Sequence, residues 1–102
     1  MRKIIIAPGY GGGWSTWFDG PPKFACEYQP IIAALENGEV LTKKHPAVLQ
    51  FMEDASKYSR YVDVDKFTLR QLEVVEVSVP YKVTEFDGYE RVVFNDDSEW
   101  IF

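Results

Sequence analysis

The sequence predicts a single α+β domain over residues 1–102, in which two helices pack on a mixed or antiparallel sheet of about four to five strands that includes a C-terminal Asp-Gly hairpin. Three observations predict it. One short, continuously apolar run opens the chain at Ile4–Ala7, helical spacing is confined to the middle, and β-branched alternation dominates after Leu72. Strands segregated from helices in this way argue α+β rather than an alternating α/β fold. The chain length of 102 residues suits one domain. Its 46% hydrophobic and 16% aromatic content is rich enough to fold, which sets disorder aside.

The first strand spans Lys3–Ala7, and its unbroken apolar run fits a strand covered on both faces. After the following loop, Phe18-Asp19-Gly20-Pro21-Pro22 reads as an exposed, irregular breaker cluster. The first helix runs from about Gln29 to Asn37. Pro30 suits the first turn, where a missing N–H costs nothing, and Gly38 stands where a left-handed C-terminal cap belongs. Its buried stripe is Tyr28, Ile31, Ile32 and Leu35. The second helix opens at Pro46 and ends near Ser59, with Val48, Leu49, Met52, Ala55 and Tyr58 on its apolar side. Glu53 and Lys57 are spaced for an exposed i,i+4 pair.

Leu72–Val79 reads as a strand that Pro80 ends or places at an edge. Tyr81–Phe94 is two β-rich arms around Asp87-Gly88, the pattern of a two-residue hairpin. That register opposes Phe86 to Tyr89, Val83 to Val92 and Tyr81 to Phe94. Val83, Val92, Tyr81 and Phe94 share the core face, while Lys82, Thr84 and Arg91 face solvent. Asn95-Asp96-Asp97 makes a turn, and Glu99–Phe102 supplies a short closing strand.

Charge excludes some function classes. The net charge is −5, and residues 1–59 carry six bases and six acids, so all of it resides in residues 60–102. Such a chain lacks the clustered cations on which nucleic-acid backbone binding depends, and no nucleic-acid partner is expected. No run approaches the ~20 apolar residues of a membrane span, and the N-terminal apolar run is too short for a signal peptide. With Cys26 as the only cysteine, no intramolecular disulfide is available. A cytoplasmic protein without a membrane partner is the expectation. No feature fixes the oligomeric state; an isologous homodimer is the commonest closed assembly.

The candidate site is the loop Gly9, Tyr10, Gly11, Gly12, Gly13, Trp14, Ser15, Thr16 and Trp17, read as ligand-binding. Its glycines free the backbone for close approach. Its N–H groups could form an anion nest, with Ser15 and Thr16 adding hydroxyl donors and a tryptophan stacking on a ring. A small phosphorylated ligand fits that description. The alternative reading is that the glycines turn the chain and both tryptophans plug the core. The loop fits neither G-x-x-x-x-G-K-[ST] nor G-x-G-x-x-G, and no G-x-S-x-G elbow exists. No cofactor is expected. His45 is the only histidine; it reads as a surface or capping residue, and a zinc site is not expected. Glu85 and Glu90 come out opposed on the hairpin and read as solvated near its tip. Cys26 reads as a small buried residue in the turn before the first helix.

Three stretches bring a resemblance: Ile6–Trp17, Glu73–Val77, and Thr84–Glu90 followed by Asp96–Trp100. Together they resemble a family of small uncharacterised proteins encoded by tailed bacteriophages. Where that family most often reads Arg-Gly before the next aromatic, this chain has Pro8-Gly9. The resemblance implies an accessory protein acting in the cytoplasm of an infected host cell, in host takeover or counter-defence, and implies no activity. The leading expectation is therefore a non-enzymatic protein that binds a host protein or a nucleotide-like small molecule through the glycine–tryptophan loop. The alternatives are a small enzyme using Ser15, His45 and hairpin carboxylates, and a virion or assembly component.

Overall fold

The computed structural model describes residues 2–9, 13–59, 66–86 and 89–93. They form an α+β fold: β1 (Arg2–Ile6), a 3-10 turn (Ser15–Trp17), α1 (Pro22–Cys26), α2 (Gln29–Glu36), α3 (Pro46–Ala55), α4 (Lys66–Gln71), β2 (Glu73–Val77), β3 (Lys82–Phe86) and β4 (Tyr89–Val93). These strands make two antiparallel pairs, β1 with β2 and β3 with β4, in place of one continuous ladder. Ile4 opposes Val75, and Ile6 opposes Glu73. The hairpin register is the expected one, with Phe86 against Tyr89 and Val83 against Val92. Among the described residues, one backbone bond joins the two pairs: the Glu90 N–H donates to the Ala7 carbonyl at 3.0 Å.

β1 separates two cores because its side chains alternate between faces. Ile5 and Ala7 face the helices, among Ile31, Ile32, Val48, Phe51, Leu69 and Leu72. Ile4 and Ile6 face the other way, with Cys26, Val77 and Tyr81, backed by Val83 and Val92. The continuous apolar run therefore does mark a strand covered on both faces.

Proline and glycine set the helix boundaries as expected. Prolines occupy the first turns of α2 and α3. Gly38 adopts φ +72°, which lets its N–H reach the Leu35 carbonyl while the Glu39 N–H reaches that of Ala34. That pair of bonds is the Schellman closure of a helix C-terminus. His45 caps α3, its Nδ1 accepting from the Ala47 N–H at 3.0 Å.

Other expectations are corrected. The breaker cluster is not uniformly exposed: Pro22 opens α1, and Phe18 packs against Phe24 and Phe51, with ring centroids 5.6 and 5.8 Å away. Cys26 is buried as expected, but as the last residue of α1. The apolar stripe of α3 is rotated toward Ala47, Val48, Phe51 and Ala55, leaving Leu49 52% exposed and Tyr58 exposed. Phe51 decides the rotation, because an aromatic cage of Trp14, Phe18, Phe24 and Tyr28 surrounds it. α3 also ends at Ala55, so Lys57 lies past the helix on which its pairing with Glu53 was expected. Helix α4 had no counterpart in the sequence expectations. The Asp87-Gly88 turn, the Tyr81–Phe94 pairing, the Asn95–Asp97 turn and the Glu99–Phe102 strand lie outside the described residues.

The second core contains a polar chain. The fully buried Tyr81 donates its hydroxyl to Glu27 Oε2 at 2.6 Å, and Cys26 Sγ lies 3.2 Å from the same hydroxyl. Arg2 closes the chain on Glu27 at 3.3 Å. Burial pushes the Cys26 thiol from an ordinary 9.0 up to about 11, and burial likewise raises the phenol of Tyr81. In the folded state these groups hold their protons to higher pH than in the unfolded chain, so raising the pH favours unfolding once the unfolded chain begins to lose them. Stability is expected to be level with respect to Cys26 below about pH 9 and to fall as pH climbs toward about 11. Denaturant midpoints measured across that range check this, and Cys26→Ser should flatten part of the fall. A thiol that reacts with iodoacetamide at pH 8 as fast in folded as in unfolded protein contradicts the burial argument.

Candidate functional site

Glu90 is the centre of the glycine–tryptophan loop. Strand alternation puts it on the same hairpin face as Val83 and Val92, the face that packs on the second core. It is 3% exposed. Its carboxylate accepts from the Ala7 N–H at 2.9 Å through Oε1. Oε2 accepts from the Trp14 N–H at 2.6 Å, the Thr16 N–H at 3.0 Å and the Thr16 hydroxyl at 2.6 Å. The Glu90 N–H meanwhile donates to the Ala7 carbonyl, so strand and loop are locked to the hairpin in both directions.

The expectation that Glu90 is solvated beside Glu85 is therefore corrected. The two carboxylates do oppose each other, but Glu85 is exposed while Glu90 is buried. Placing a charge out of water is costly unless donors replace the lost hydration. Here three N–H groups and a hydroxyl do so. The N–H groups of Ala7, Trp14 and Thr16 converge on an anion that is a side chain of the same protein, whereas Gly11 and Gly12, where a nest was expected, lie outside the described residues.

The other candidate residues divide. Trp14 is core: its indole N–H donates to the Ala25 carbonyl at 2.8 Å, and its ring lies 4.7 Å from that of Phe51. Trp17 is 57% exposed, so only one tryptophan plugs the core. Gly13 allows the loop to close. A Cβ there would fall 2.5 Å from Thr16 Oγ1 and 2.7 Å from Trp17 Cδ1, displacing the hydroxyl that binds Glu90. Ser15 is buried, with no partner for its hydroxyl among the described residues. Gly9 lies against the side chain of Gln71. Tyr10, Gly11 and Gly12 lie outside the described residues.

His45 does not join Ser15. Its Nδ1 caps α3, and its Nε2 bonds Glu39 at 2.8 Å. That contact is the first cause of the lowered Glu39 pKa. Among the described residues, no group of three or more His, Cys, Asp or Glu is placed to hold a metal ion, and no helix is long and apolar enough to cross a membrane. An open depression of about 430 Å³ bounded by Lys3, Glu36, Leu72, Glu73 and Glu76 includes no residue of the loop. Comparison with protein families, curated proteins and solved structures finds no match.

Glu90 carried the one signal that sequence reading could have used. Extending the hairpin's core face by one alternation beyond Val92 reaches it, which places a carboxylate where apolar residues belong.

Replacing Glu90 with Gln tests the clamp. Whichever way the amide turns, its NH2 faces N–H donors in place of an acceptor. Buried donors left without acceptors cost ~1–3 kcal/mol each, so a loss of at least ~2 kcal/mol in urea unfolding is expected. The opposed Glu85→Gln should stay within ~0.5 kcal/mol, as surface substitutions do. Equal effects at the two positions would contradict the assignment.

Proposed function

We propose that this chain is a non-enzymatic binding protein that presents Trp17 to a protein partner from a loop held rigid by Glu90. The observation that carries the reading is the contrast within the loop. Trp14, Ser15 and Glu90 are buried, while the indole of Trp17, three residues from Trp14, is largely exposed. Large exposed aromatics on a fixed backbone are the side chains that dominate protein interfaces, because little ordering remains to be done on binding.

A protein partner is favoured over a phosphorylated ligand at this loop. Among the described residues, the N–H groups of Ala7, Trp14 and Thr16 and the Thr16 hydroxyl already donate to Glu90 and are closed to a phosphate. A binding role also requires nothing of Ser15 and His45, between which the described residues make no nucleophile–base contact. The resemblance to tailed-phage accessory proteins supports a partner of host origin, with counter-defence as one such role.

The test is capture from host lysate by immobilised wild type and by Trp17→Ala. Because Trp17 is exposed, the variant should keep its stability within ~0.5 kcal/mol. It should lose the captured partner by about tenfold or more in affinity, equivalent to ~1.4 kcal/mol. Undiminished capture by Trp17→Ala, or no specific capture by wild type, removes this reading.

A further inference from the structure

The outer face of the β3–β4 hairpin is aromatic and cationic. Alternation sorts the described arms by charge. Val83, Glu85, Glu90 and Val92 share one face, whereas Lys82, Thr84, Phe86, Tyr89, Arg91 and Val93 share the other. No carboxylate of the described arms lies on that second face, in a chain whose net charge is −5. Its outermost row is the opposed pair Phe86 and Tyr89, 77% and 46% exposed. The next row inward is Thr84 opposite Arg91, and the third is Lys82 opposite Val93.

Exposed aromatics on adjacent strands are a stacking platform. Directly opposed residues have Cβ atoms ~4.5–5.5 Å apart, so both side chains rise from the same end of this face. The guanidinium row begins one strand repeat away, about 6.8 Å along the face. A flat ring seated on Phe86 and Tyr89 would thus carry an attached anion toward Arg91, whose planar fork pairs with phosphate in a bidentate manner. Thr84 adds a hydroxyl beside it. Base stacking on aromatic side chains is tolerant of base identity, since each base offers a π-face.

We infer that this hairpin face binds a free nucleotide, the base on Phe86 and Tyr89 and the phosphate on Arg91. The charge pattern selects the free nucleotide over a strand: the exposed Arg91 complements a compact anion, while the acidic remainder of the chain repels a polyanion. The inference does not rest on the Trp17 reading, and it gives the nucleotide-like ligand a location away from the glycine–tryptophan loop.

Titration of the 15N-labelled full chain with AMP, followed by amide shifts, tests it. Adenosine, inorganic phosphate and a single-stranded hexathymidylate are the comparison arms. AMP at millimolar concentration should shift the amides of Thr84, Phe86, Tyr89 and Arg91, with adenosine and phosphate each at least about tenfold weaker. Phe86→Ala and Arg91→Ala should each weaken AMP about tenfold with an unchanged melting temperature, both side chains being exposed. Shifts centred on residues 13–17, or none at millimolar AMP, overturn the inference. Binding of the hexathymidylate more tightly than AMP overturns the choice of a free nucleotide, and equal responses to phosphate and AMP overturn the stacking role of the aromatics.

Discussion

A buried carboxylate meeting three backbone N–H groups and a hydroxyl is the constraint on which the rest of this structure depends. Residues 13–17 make only a single 3-10 turn, so regular structure leaves the N–H groups of Trp14 and Thr16 without acceptors. Backbone donors shut away from water need acceptors. Glu90 supplies them from a strand more than seventy residues away in sequence. Neither partner is stable in place without the other: the loop lacks acceptors, and the carboxylate lacks hydration.

The same contact unites the two strand pairs. β1 pairs with β2 and β3 with β4, and the reciprocal bonds between Ala7 and Glu90 bridge them. The loop then delivers Trp14 to the aromatic cage around Phe51, which belongs to the helical core. Polar satisfaction and apolar packing are therefore coupled through three consecutive residues: Trp14 fills the core, Ser15 is buried, and Thr16 binds Glu90. Trp17 is turned outward as a consequence of that order. Among the described residues of the loop, Gly13 is needed for the close approach of Thr16 and Trp17.

Local rules were legible in the sequence. The prolines and Gly38 marked the limits of α2, His45 its capping role, and the alternation of the two arms the hairpin register. Non-local facts were less so. The phase of the α3 stripe turns on Phe51, whose burial depends on aromatics contributed by the loop, α1 and Tyr28. Helix α4 is only six residues long, shorter than the window of about 11 residues over which helical periodicity can be read. In the glycine–tryptophan loop, the N–H groups of Trp14 and Thr16 do meet an anion. What periodicity could not say was that the anion comes from within the chain, because a glutamate two residues from Val92 reads equally well as a solvated hairpin residue.

Amide hydrogen exchange at Ala7, Trp14 and Thr16 tests the clamp most directly. These N–H groups lie in a strand end and an irregular loop, where exchange by local opening is the ordinary outcome. If Glu90 holds them as one unit, all three exchange only with opening of the hairpin contact, at matching free energies, and all three lose protection together in Glu90→Gln. Fast exchange at Trp14 and Thr16 beside a protected Ala7, or protection undiminished in the variant, contradicts the account.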